Sequence, residues 1–300
     1  MNKTAFYNAP PRWEALCREL DALKKLDGVR VFRVGKSNLG REIRAVGLGR
    51  MDRPALMVGG VHSLEWLTTL VLTRFCRELA EAAAENMTLD GIAIRPALAE
   101  KGLVILPQLN PDGTELVLGG PETAGRYREE LMELTGGDFS GWQANIRGVD
   151  LNHNFDAGFA ILQRMEREAG ITGPSPRRYG GPFPESEPET AALCRLCRKI
   201  CFRHVIAFHS QGEEIYWRYG PVDPPHSRTI AELLARSSGY ALLSPEGMAS
   251  HGGFKDWFIS KIGRPGFTVE MGRGENPLPI GELDPIYARL FEMLLVNLLV

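Results

Sequence analysis

The stretch that decides the fold is Ala55-Leu-Met-Val-Gly-Gly-Val61-His62-Ser-Leu-Glu65-Trp66. Its apolar run, Ala55 to Val61, is typical of a strand buried on both faces, and a helical pattern follows from Trp66 to Ala84. A strand that passes directly into a helix is the repeating unit of α/β architectures. His62 and Glu65 therefore lie at the carboxyl end of a strand, where open α/β sheets bind their ligands.

The same alternation of short apolar runs and longer helical patterns continues through the chain. It predicts an α/β fold with helices packed on a largely parallel or mixed sheet. The other predicted strands are Val29 to Val34, Leu103 to Leu109, His204 to Phe208, Tyr240 to Leu243 and Phe267 to Glu270. The other predicted helices are Trp13 to Leu26, Glu187 to Ile200, Arg228 to Ser237 and Pro285 to Leu299.

The chain reads as a single catalytic domain, residues 1–300, without internal repeats or low-complexity linkers. Two segments, Leu118 to Asn145 and Gly170 to Pro188, are rich in Gly, Pro and polar residues. Loops of that length within a compact domain are usually functional or mobile. We therefore expect large loops over one face of the domain.

Composition excludes several classes of partner. Hydrophobic residues make up 44% and charged residues 24%, the balance of an ordinary globular protein. A formal charge of -2 and a pI near 6.3 provide no global field for nucleic acid or anionic lipid. We expect neither a nucleic-acid nor a membrane partner, and the sequence leaves the oligomeric state open.

The sequences at the two ends of the chain were compared with those of secretory signals and membrane spans. The first twenty residues contain no apolar stretch of the kind found in secretory signals, which predicts a cytoplasmic location. The apolar C-terminal segment is interrupted by Arg289, Glu292 and Asn297 and is shorter than the ~20 residues of a membrane span. It is interpreted as a packed final helix, with Asp284 as N-cap and Pro285 at the first helical position.

The five cysteines form no pattern typical of a disulfide framework. Cys194, Cys197 and Cys201 lie at spacings of three and four, which places them on one helical face. Because a second CxxC is not nearby, we interpret this face as an apolar packing surface rather than a zinc or redox site.

Two further strands end in residues with metal and acid–base chemistry. The apolar run before His209 ends at that histidine, and the run Phe267 to Glu270 closes on a carboxylate that is costly to bury without a role. His62, Glu65 and His209 form a ligand set that leaves a fourth zinc position for water. Zinc lowers the pKa of a bound water to about 7, and a carboxylate within hydrogen-bond reach then takes its proton. The sequence thus predicts a zinc hydrolase with Glu270 as general base.

Five ordered motifs carry a family resemblance over roughly residues 7 to 295. They are His62-Ser-Leu-Glu65-Trp66, Asn110-Pro-Asp-Gly113, Arg147-Gly-Val-Asp-Leu-Asn152-His153-Asn154-Phe155, His209-Ser-Gln-Gly212 and Phe267-Thr-Val-Glu270. In this order they resemble the zinc carboxypeptidases of the carboxypeptidase A type, whose ligand set is itself the known example of two histidines and a glutamate. The resemblance implies a single α/β/α domain around a mixed, roughly eight-stranded sheet. It implies one zinc ion held by His62, Glu65 and His209, with Glu270 as base.

Within that family, three segments are similar to the bacterial γ-D-glutamyl-diaminopimelate endopeptidases. These are HSQGEEIYWRYG (209–220), GGFKDWFI (252–259) and MGRGENPLP (271–279). The resemblance implies a substrate from cell-wall stem peptides, cut between D-glutamate and the diamino acid.

Other positions depart from the digestive members of the family. Asn152-His153 stands where those enzymes carry Asn-Arg, so a fixed guanidinium fork for a terminal carboxylate is replaced by a pH-dependent histidine. Gln143 stands where an arginine usually steadies the oxyanion, and the closing tyrosine falls near Met248. These differences argue against an ordinary C-terminal exopeptidase and leave the metal and the base untouched.

The substrate contacts are less defined by sequence. Asn152, His153 and Gln143 are the predicted contacts, with Arg147 as a replacement anion contact or an ordinary loop arginine. Glu213 or Glu214 could meet the free ammonium of a diamino acid, and alternation aims only one of them inward. His251 would lie at the rim of the site.

The predicted function is hydrolysis of the γ-D-Glu to meso-diaminopimelate bond in a small muropeptide. One alternative is a conventional metallocarboxypeptidase or a zinc amidase acting on small acyl-amino acids. Another is a catalytically silent zinc-containing peptide-binding module, which the presence of Glu270 disfavours. A structural zinc site would need a fourth protein ligand.

Overall fold

The computed structural model describes residues 5–244 and 247–300. Its strands are β1 Val29–Lys36, β2 Glu42–Leu48, β3 Ala55–Val58, β4 Thr88–Leu89, β5 Ile92–Ala93, β6 Leu103–Leu106, β7 Val205–His209, β8 Glu214–Tyr216, β9 Ala241–Leu243 and β10 Gly266–Glu270. Eight of these form one sheet in the order β1-β2-β6-β3-β7-β10-β8-β9, and β4 pairs with β5 as a separate hairpin. The sheet is mixed: β6, β3, β7 and β10 are parallel to one another, and β1–β2, β2–β6 and β10–β8 are antiparallel pairs. The edge strand β9 is parallel to β8. The predicted α/β fold with a mixed eight-stranded sheet is confirmed.

Ten helices surround the sheet within the described residues. They are α1 Trp13–Leu23, α2 Leu67–Ala84, α3 Ile94–Glu100, α4 Pro111–Gly119, α5 Arg128–Thr135, α6 Phe159–Glu168, α7 Pro188–Lys199, α8 Ser227–Ser238, α9 Phe254–Trp257 and α10 Leu283–Leu299. The segment after α9, Phe258–Ile262, is a short π-helix. Within the described ranges, none of the helices combines the length and the hydropathy that crossing a bilayer requires.

The sheet separates two hydrophobic cores, because successive side chains of a strand point to opposite faces. In β3, Met57 belongs to the core that contains the buried faces of α2 and α10. Its neighbours Leu56 and Val58 belong to the core that contains Leu193 of α7 and Trp257 of α9. The arrangement is therefore a helix layer, the sheet and a second helix layer.

The six strands and five helices predicted from the pattern are all present, with boundaries that differ by a few residues. The patterns did not predict β2 or β8. In β2 the available signal is the alternation of buried Ile43 and Ala45 with partly exposed Arg44. β8 is too short and too polar, at three residues, to be read from periodicity.

Two local predictions are corrected. Helix α10 begins at Leu283 with Glu282 as its N-cap, because a 3-10 turn, Ile280–Glu282, runs directly into it. Asp284 is therefore in the first turn, where its carboxylate accepts from Arg74 at 2.7 Å. Cys201 is exposed because α7 ends at Lys199, so it does not share the face of Cys194 and Cys197, which are buried.

The central strands position the site. β3 lies at the centre of the sheet, between β6 and β7. The chain after β3 forms β6 on one side of it and later forms β7 on the other side. Such a switch point opens a crevice at the carboxyl ends of the strands. His209 and Glu270, the last residues of β7 and β10, are register partners at this edge.

Candidate metal centre and active site

Three side chains converge at the carboxyl edge of the sheet. Glu65 Oε1 lies 2.8 Å from His62 Nδ1, and Glu65 Oε2 lies 2.9 Å from His209 Nδ1. The two Nδ1 atoms are 3.2 Å apart. His62 follows β3 in a loop, Glu65 stands just before α2 and His209 ends β7, so separate elements bring the ligand set together. Glu65 and His209 are buried, at 3% and 1% exposure.

The chemistry of this donor set fits a zinc ion. Nitrogen and carboxylate oxygen are the usual zinc ligands, and two histidines with one glutamate are typical of catalytic sites that keep an open position. Two imidazole Nδ1 atoms and a carboxylate aimed at one point form a ready ligand group, and its ligand atoms lie within 4.8 Å of one another. Within the described part of the chain this is the one group of His, Cys, Asp and Glu side chains that meets that criterion.

Asp150 orients the first ligand. His62 Nε2 lies 3.2 Å from Asp150 Oδ1, which fixes the proton on Nε2 and leaves Nδ1 free to bind a metal. The carboxylate also accepts from the backbone N–H groups of Asn152 and Arg178, both at 3.0 Å. Burial opposes ionisation of Asp150, but the charges of His153 and His62 hold its pKa well below the ordinary value. Asp150 is therefore an anion that holds the histidine in place.

Glu270 faces the same point from the neighbouring strand. It is paired with His209 of β7 on one side and with Glu214 of β8 on the other. Burial raises the pKa of Glu270 well above its ordinary value, and the nearby Glu65 carboxylate raises it further. A carboxylate with a raised pKa beside a metal site has the properties of a general base.

These groups open into one polar cavity of about 450 Å³. His62, Glu65, Glu270 and polar side chains from several separate segments share its wall. The lining residues are His62, Glu65, Gln143, Asp150, Asn152, His153, Arg178, Ser210, Gln211, Glu214, Tyr216, Ala249, His251, Gly253, Lys255, Asp256, Thr268, Glu270 and Asn276. The two long segments expected to cover one face do border it, through Gln143 and Arg178.

Three of the four predicted substrate contacts line this cavity. Asn152 Oδ1 accepts from Phe254 N at 3.1 Å, which leaves the amide NH2 available as a donor. His153 Nδ1 lies 2.9 Å from the carbonyl of Arg178 and 3.2 Å from Glu166. Burial lowers the pKa of His153, but the carboxylates of Asp150 and Glu166 raise it above the ordinary value overall. The third contact, Gln143, has its backbone fixed by Ser63.

The fourth, Arg147, is not brought to the cavity. Its guanidinium lies 3.2 Å from Glu187, a fully buried carboxylate, and it is not among the lining residues. The arginine of the cavity is Arg178, whose backbone also binds Asp150. The sequence indicated a role for Arg178 only through its position in the long segment Gly170 to Pro188, which was expected to cover one face of the domain.

The side chains of the adjacent residues Glu213 and Glu214 point in different directions, as the sequence analysis expected. Glu213 points outward to Arg273, at 2.8 Å, whereas Glu214 lines the cavity and accepts from Tyr216 Oη at 2.6 Å. His251 lines the cavity as expected, and Met248 does not. The sequence patterns did not indicate Lys255 and Asp256, because charged residues on a short amphipathic turn are usually solvated.

Comparisons with known proteins agree with this geometry. The sequence pattern of the family described as zinc carboxypeptidase matches residues 15–293. The chain belongs to the zinc carboxypeptidase family. This membership confirms the predicted resemblance, the zinc-dependent metallopeptidase class and one zinc ion as cofactor.

Individual family members are similar over most of the chain. A γ-D-glutamyl-L-diamino acid endopeptidase 1 of Lysinibacillus sphaericus is 37% identical across 88% of this chain and 66% of its own length. Carboxypeptidase A1 of Sus scrofa is 24% identical across 85% of this chain and 60% of its own length. The chain thus spans about two thirds or less of these relatives.

A solved structure confirms the fold. Bovine thrombin-activatable fibrinolysis inhibitor, in complex with a tick carboxypeptidase inhibitor, superimposes with a TM-score of 0.73 and covers 98% of both chains at 18% identity. At that identity the likeness concerns the architecture of this zinc carboxypeptidase alone.

Proposed function

We propose that this chain hydrolyses the amide bond between γ-D-glutamate and meso-diaminopimelate in peptides derived from peptidoglycan. The observation that carries the hydrolytic part is the convergence of His62, Glu65 and His209 on one point, at the edge of a cavity that Glu270 also lines. The relative named as a γ-D-glutamyl-L-diamino acid endopeptidase, at 37% identity, supports the choice of bond.

In this proposal His62, Glu65 and His209 would hold a zinc ion, which would supply Lewis acidity and lower the pKa of a bound water. Glu270 takes the proton of that water and returns it to the leaving amine nitrogen, a task suited to a carboxylate of raised pKa. Asp150 keeps His62 in the tautomer that exposes Nδ1.

The polar side chains beside the metal centre bind the substrate in the same proposal. The amide NH2 of Asn152 donates to a carboxylate or carbonyl of the peptide, since its oxygen is already occupied by Phe254 N. His153, buried beside Asp150 and Glu166, carries positive charge toward an anionic group. Gln143 donates to the oxyanion that forms from the scissile carbonyl, in place of a guanidinium.

A conventional metallocarboxypeptidase or a zinc amidase on small acyl-amino acids is the second candidate. The similarity to carboxypeptidase A1 favours it, because that relative also matches 85% of this chain. The two candidates differ in the group that the cavity must accept beyond the scissile bond. A catalytically silent peptide-binding module is the candidate from another class.

The test is a mass-spectrometric assay of zinc-loaded protein with L-Ala-γ-D-Glu-meso-diaminopimelate and a hippuryl C-terminal substrate. We expect release of diaminopimelate, abolished in Glu270→Gln, with the hippuryl substrate intact. Cleavage of the hippuryl substrate alone would identify a conventional carboxypeptidase. Cleavage of neither by protein with one bound zinc would favour the binding module.

The cytoplasmic location predicted from the sequence belongs to this proposal as well. It places the enzyme with soluble muropeptides rather than with the intact wall. Fractionation of source cells with an antibody to the native chain tests it, and recovery in the medium or the wall fraction would contradict it.

A further inference from the structure

A second cavity, of about 500 Å³, lies at the opposite edge of the sheet from the metal centre. His204 and Pro265, which line it, immediately precede β7 and β10, the strands that end in His209 and Glu270. Because β7 is five residues long, the two edges are about 16 Å apart at roughly 3.3 Å per residue. We call this cavity the amino-end pocket, and its wall includes Arg53, His204, Ile230, Leu233, Arg264 and Pro265.

The floor of the amino-end pocket is apolar. Ile230 and Leu233 belong to α8 and are three residues apart, so they share one face of that helix. Pro225, Pro265 and Val300 complete this surface. Leu233 is 40% exposed, so the floor is open to a ligand. A ligand with a hydrocarbon group would remove these side chains from water.

The polar part of the wall is cationic. Three arginines and His226 line the pocket, and its lining, as far as the chain is described, contains no Asp or Glu. The carboxylates of Asp52 and Glu100 border a separate depression on the other side of Arg53, and Asp52 is paired with Arg50 at 2.6 Å. A chain with a formal charge of -2 thus concentrates positive charge here beside an apolar surface.

The three guanidinium groups differ in what they bind. Arg203 donates to main-chain carbonyls at 2.5 to 3.3 Å, so it supplies charge but no free donor. Burial, and then the nearby charge of Arg53, lower the pKa of Arg203 to about 10, because two like charges lie close together. Arg264 donates one N–H to the carbonyl of Phe202 at 2.8 Å. The guanidinium of Arg53 has no partner within residues 5–244 and 247–300. Arg53 and Arg264 therefore keep donors for a ligand.

We infer that the amino-end pocket binds a small organic anion, a carboxylate or phosphate joined to an apolar hydrocarbon group. Arg53 and Arg264 donate to the anionic oxygens, which match the planar fork of a guanidinium. The hydrocarbon group lies on Ile230 and Leu233. The volume of the pocket is within the ~300–1,000 Å³ typical of cavities that hold small molecules. This ligand is separate from the hydrolysed peptide, because the pocket shares no lining residue with the active-site cavity.

Isothermal titration calorimetry of the zinc-loaded protein tests the inference with octanoate, octyl phosphate, 1-octanol and acetate. We expect octanoate or octyl phosphate to bind roughly 10- to 100-fold more tightly than octanol or acetate, the value of one charge-assisted hydrogen bond. The anion that binds more tightly identifies the head group. In Arg53→Met and in Arg264→Met this preference should shrink to less than about three-fold. Arg228→Met removes an exposed arginine of α8 that pairs with Glu232 outside the pocket, and this matched control should keep the wild-type ratio.

Four results would overturn the inference. Octanol or acetate binding as tightly as the two octyl anions would show that the pocket does not select an amphipathic anion. No saturable binding of either octyl anion at about 10 mM would show that there is no such site. Anion binding that is unchanged in both arginine variants, or that L-Ala-γ-D-Glu-meso-diaminopimelate displaces from zinc-loaded Glu270→Gln, would place the anion at the metal centre. Tighter binding of the peptide Ac-Gly-Gly-Leu to Glu270→Gln, lost when Arg53→Met is added, would assign the pocket to a chain terminus.

Discussion

Two groups of buried or partly buried carboxylates lie in this molecule, and they differ in the partners that surround them. One belongs to the metal centre and consists of Glu65, Asp150 and Glu270. The other, here called the closed acidic cluster, consists of Asp112, Glu187 and Glu189, all fully buried. Both groups bring several carboxylates together away from solvent, so acidity and burial alone do not show which of them binds a metal.

The partners distinguish them. Asp112 pairs with Arg41 at 2.7 Å, and Glu187 accepts from Asn145 at 2.7 Å and from Arg147 at 3.2 Å. In the metal centre, by contrast, one ring nitrogen from each of two histidines and a carboxylate face one another at 2.8 to 3.2 Å. A cluster that supplies its own arginine and amide donors is structural, whereas two imidazoles and a carboxylate that converge on one point are a typical zinc-ligand set.

The largest expected effect tests the base. Glu270→Gln should lower kcat of peptide hydrolysis by roughly 10³-fold, within the range of general acid–base catalysis, while the zinc content is retained. Glu189→Gln is the matched control, since it makes the same change in the closed acidic cluster, and should keep kcat within about two-fold. Comparable losses in both variants would erase the distinction between the two clusters.

The next effect concerns the orientation of His62. Asp150→Asn removes the charge that accepts from His62 Nε2 while keeping the shape of the side chain. We expect zinc affinity to fall roughly 10- to 100-fold, as is typical when the carboxylate that hydrogen-bonds a metal-binding histidine is lost. Competition with a chromophoric chelator measures it. An unchanged affinity would mean that the backbone alone holds the histidine.

A smaller effect on hydrolysis is expected at Arg147, which the sequence assigned to the substrate and which the structure pairs with Glu187. Arg147→Met should lower the free energy of unfolding by about 1–2 kcal/mol, because it removes a half-exposed partner from a buried carboxylate. KM should change by less than about two-fold. A ten-fold rise in KM at unchanged stability would instead support the assignment made from sequence.

The smallest effect on hydrolysis comes from Glu189, but its effect on stability depends on pH. Burial, with the charges of Asp112 and Glu187, raises the pKa of Glu189 from the ordinary 4.5 to about 8. The folded state thus binds a proton that the unfolded chain loses first, so this contribution to stability is complete below pH 4.5 and is lost as the pH rises to 8. Urea unfolding across this range should show a steeper decline for wild type than for Glu189→Gln. Parallel curves would contradict the raised pKa.

The sequence by itself determined the class of fold, the metal ligands that now converge and the position of Glu270. Each of these follows from local physics, because an apolar strand that ends in His209 or Glu270 delivers that side chain to the carboxyl edge of the sheet. The periodicities of strands and helices are likewise local, which is why all the predicted elements are present. The elements that were missed are mostly short, such as the three-residue strand β8 and the four-residue helix α9.

Only the tertiary structure decided which charged residues face the cavity. Arg147 and Arg178 are both arginines of polar loops, and the packing of Glu187 against Arg147 assigns the first to the closed acidic cluster. Lys255 and Asp256 line the cavity because their helix packs on Gly266 of β10, and the sequence pattern of the helix alone does not show this contact. Side-chain periodicity reports burial along one element, whereas the partner of a charge depends on elements distant in sequence.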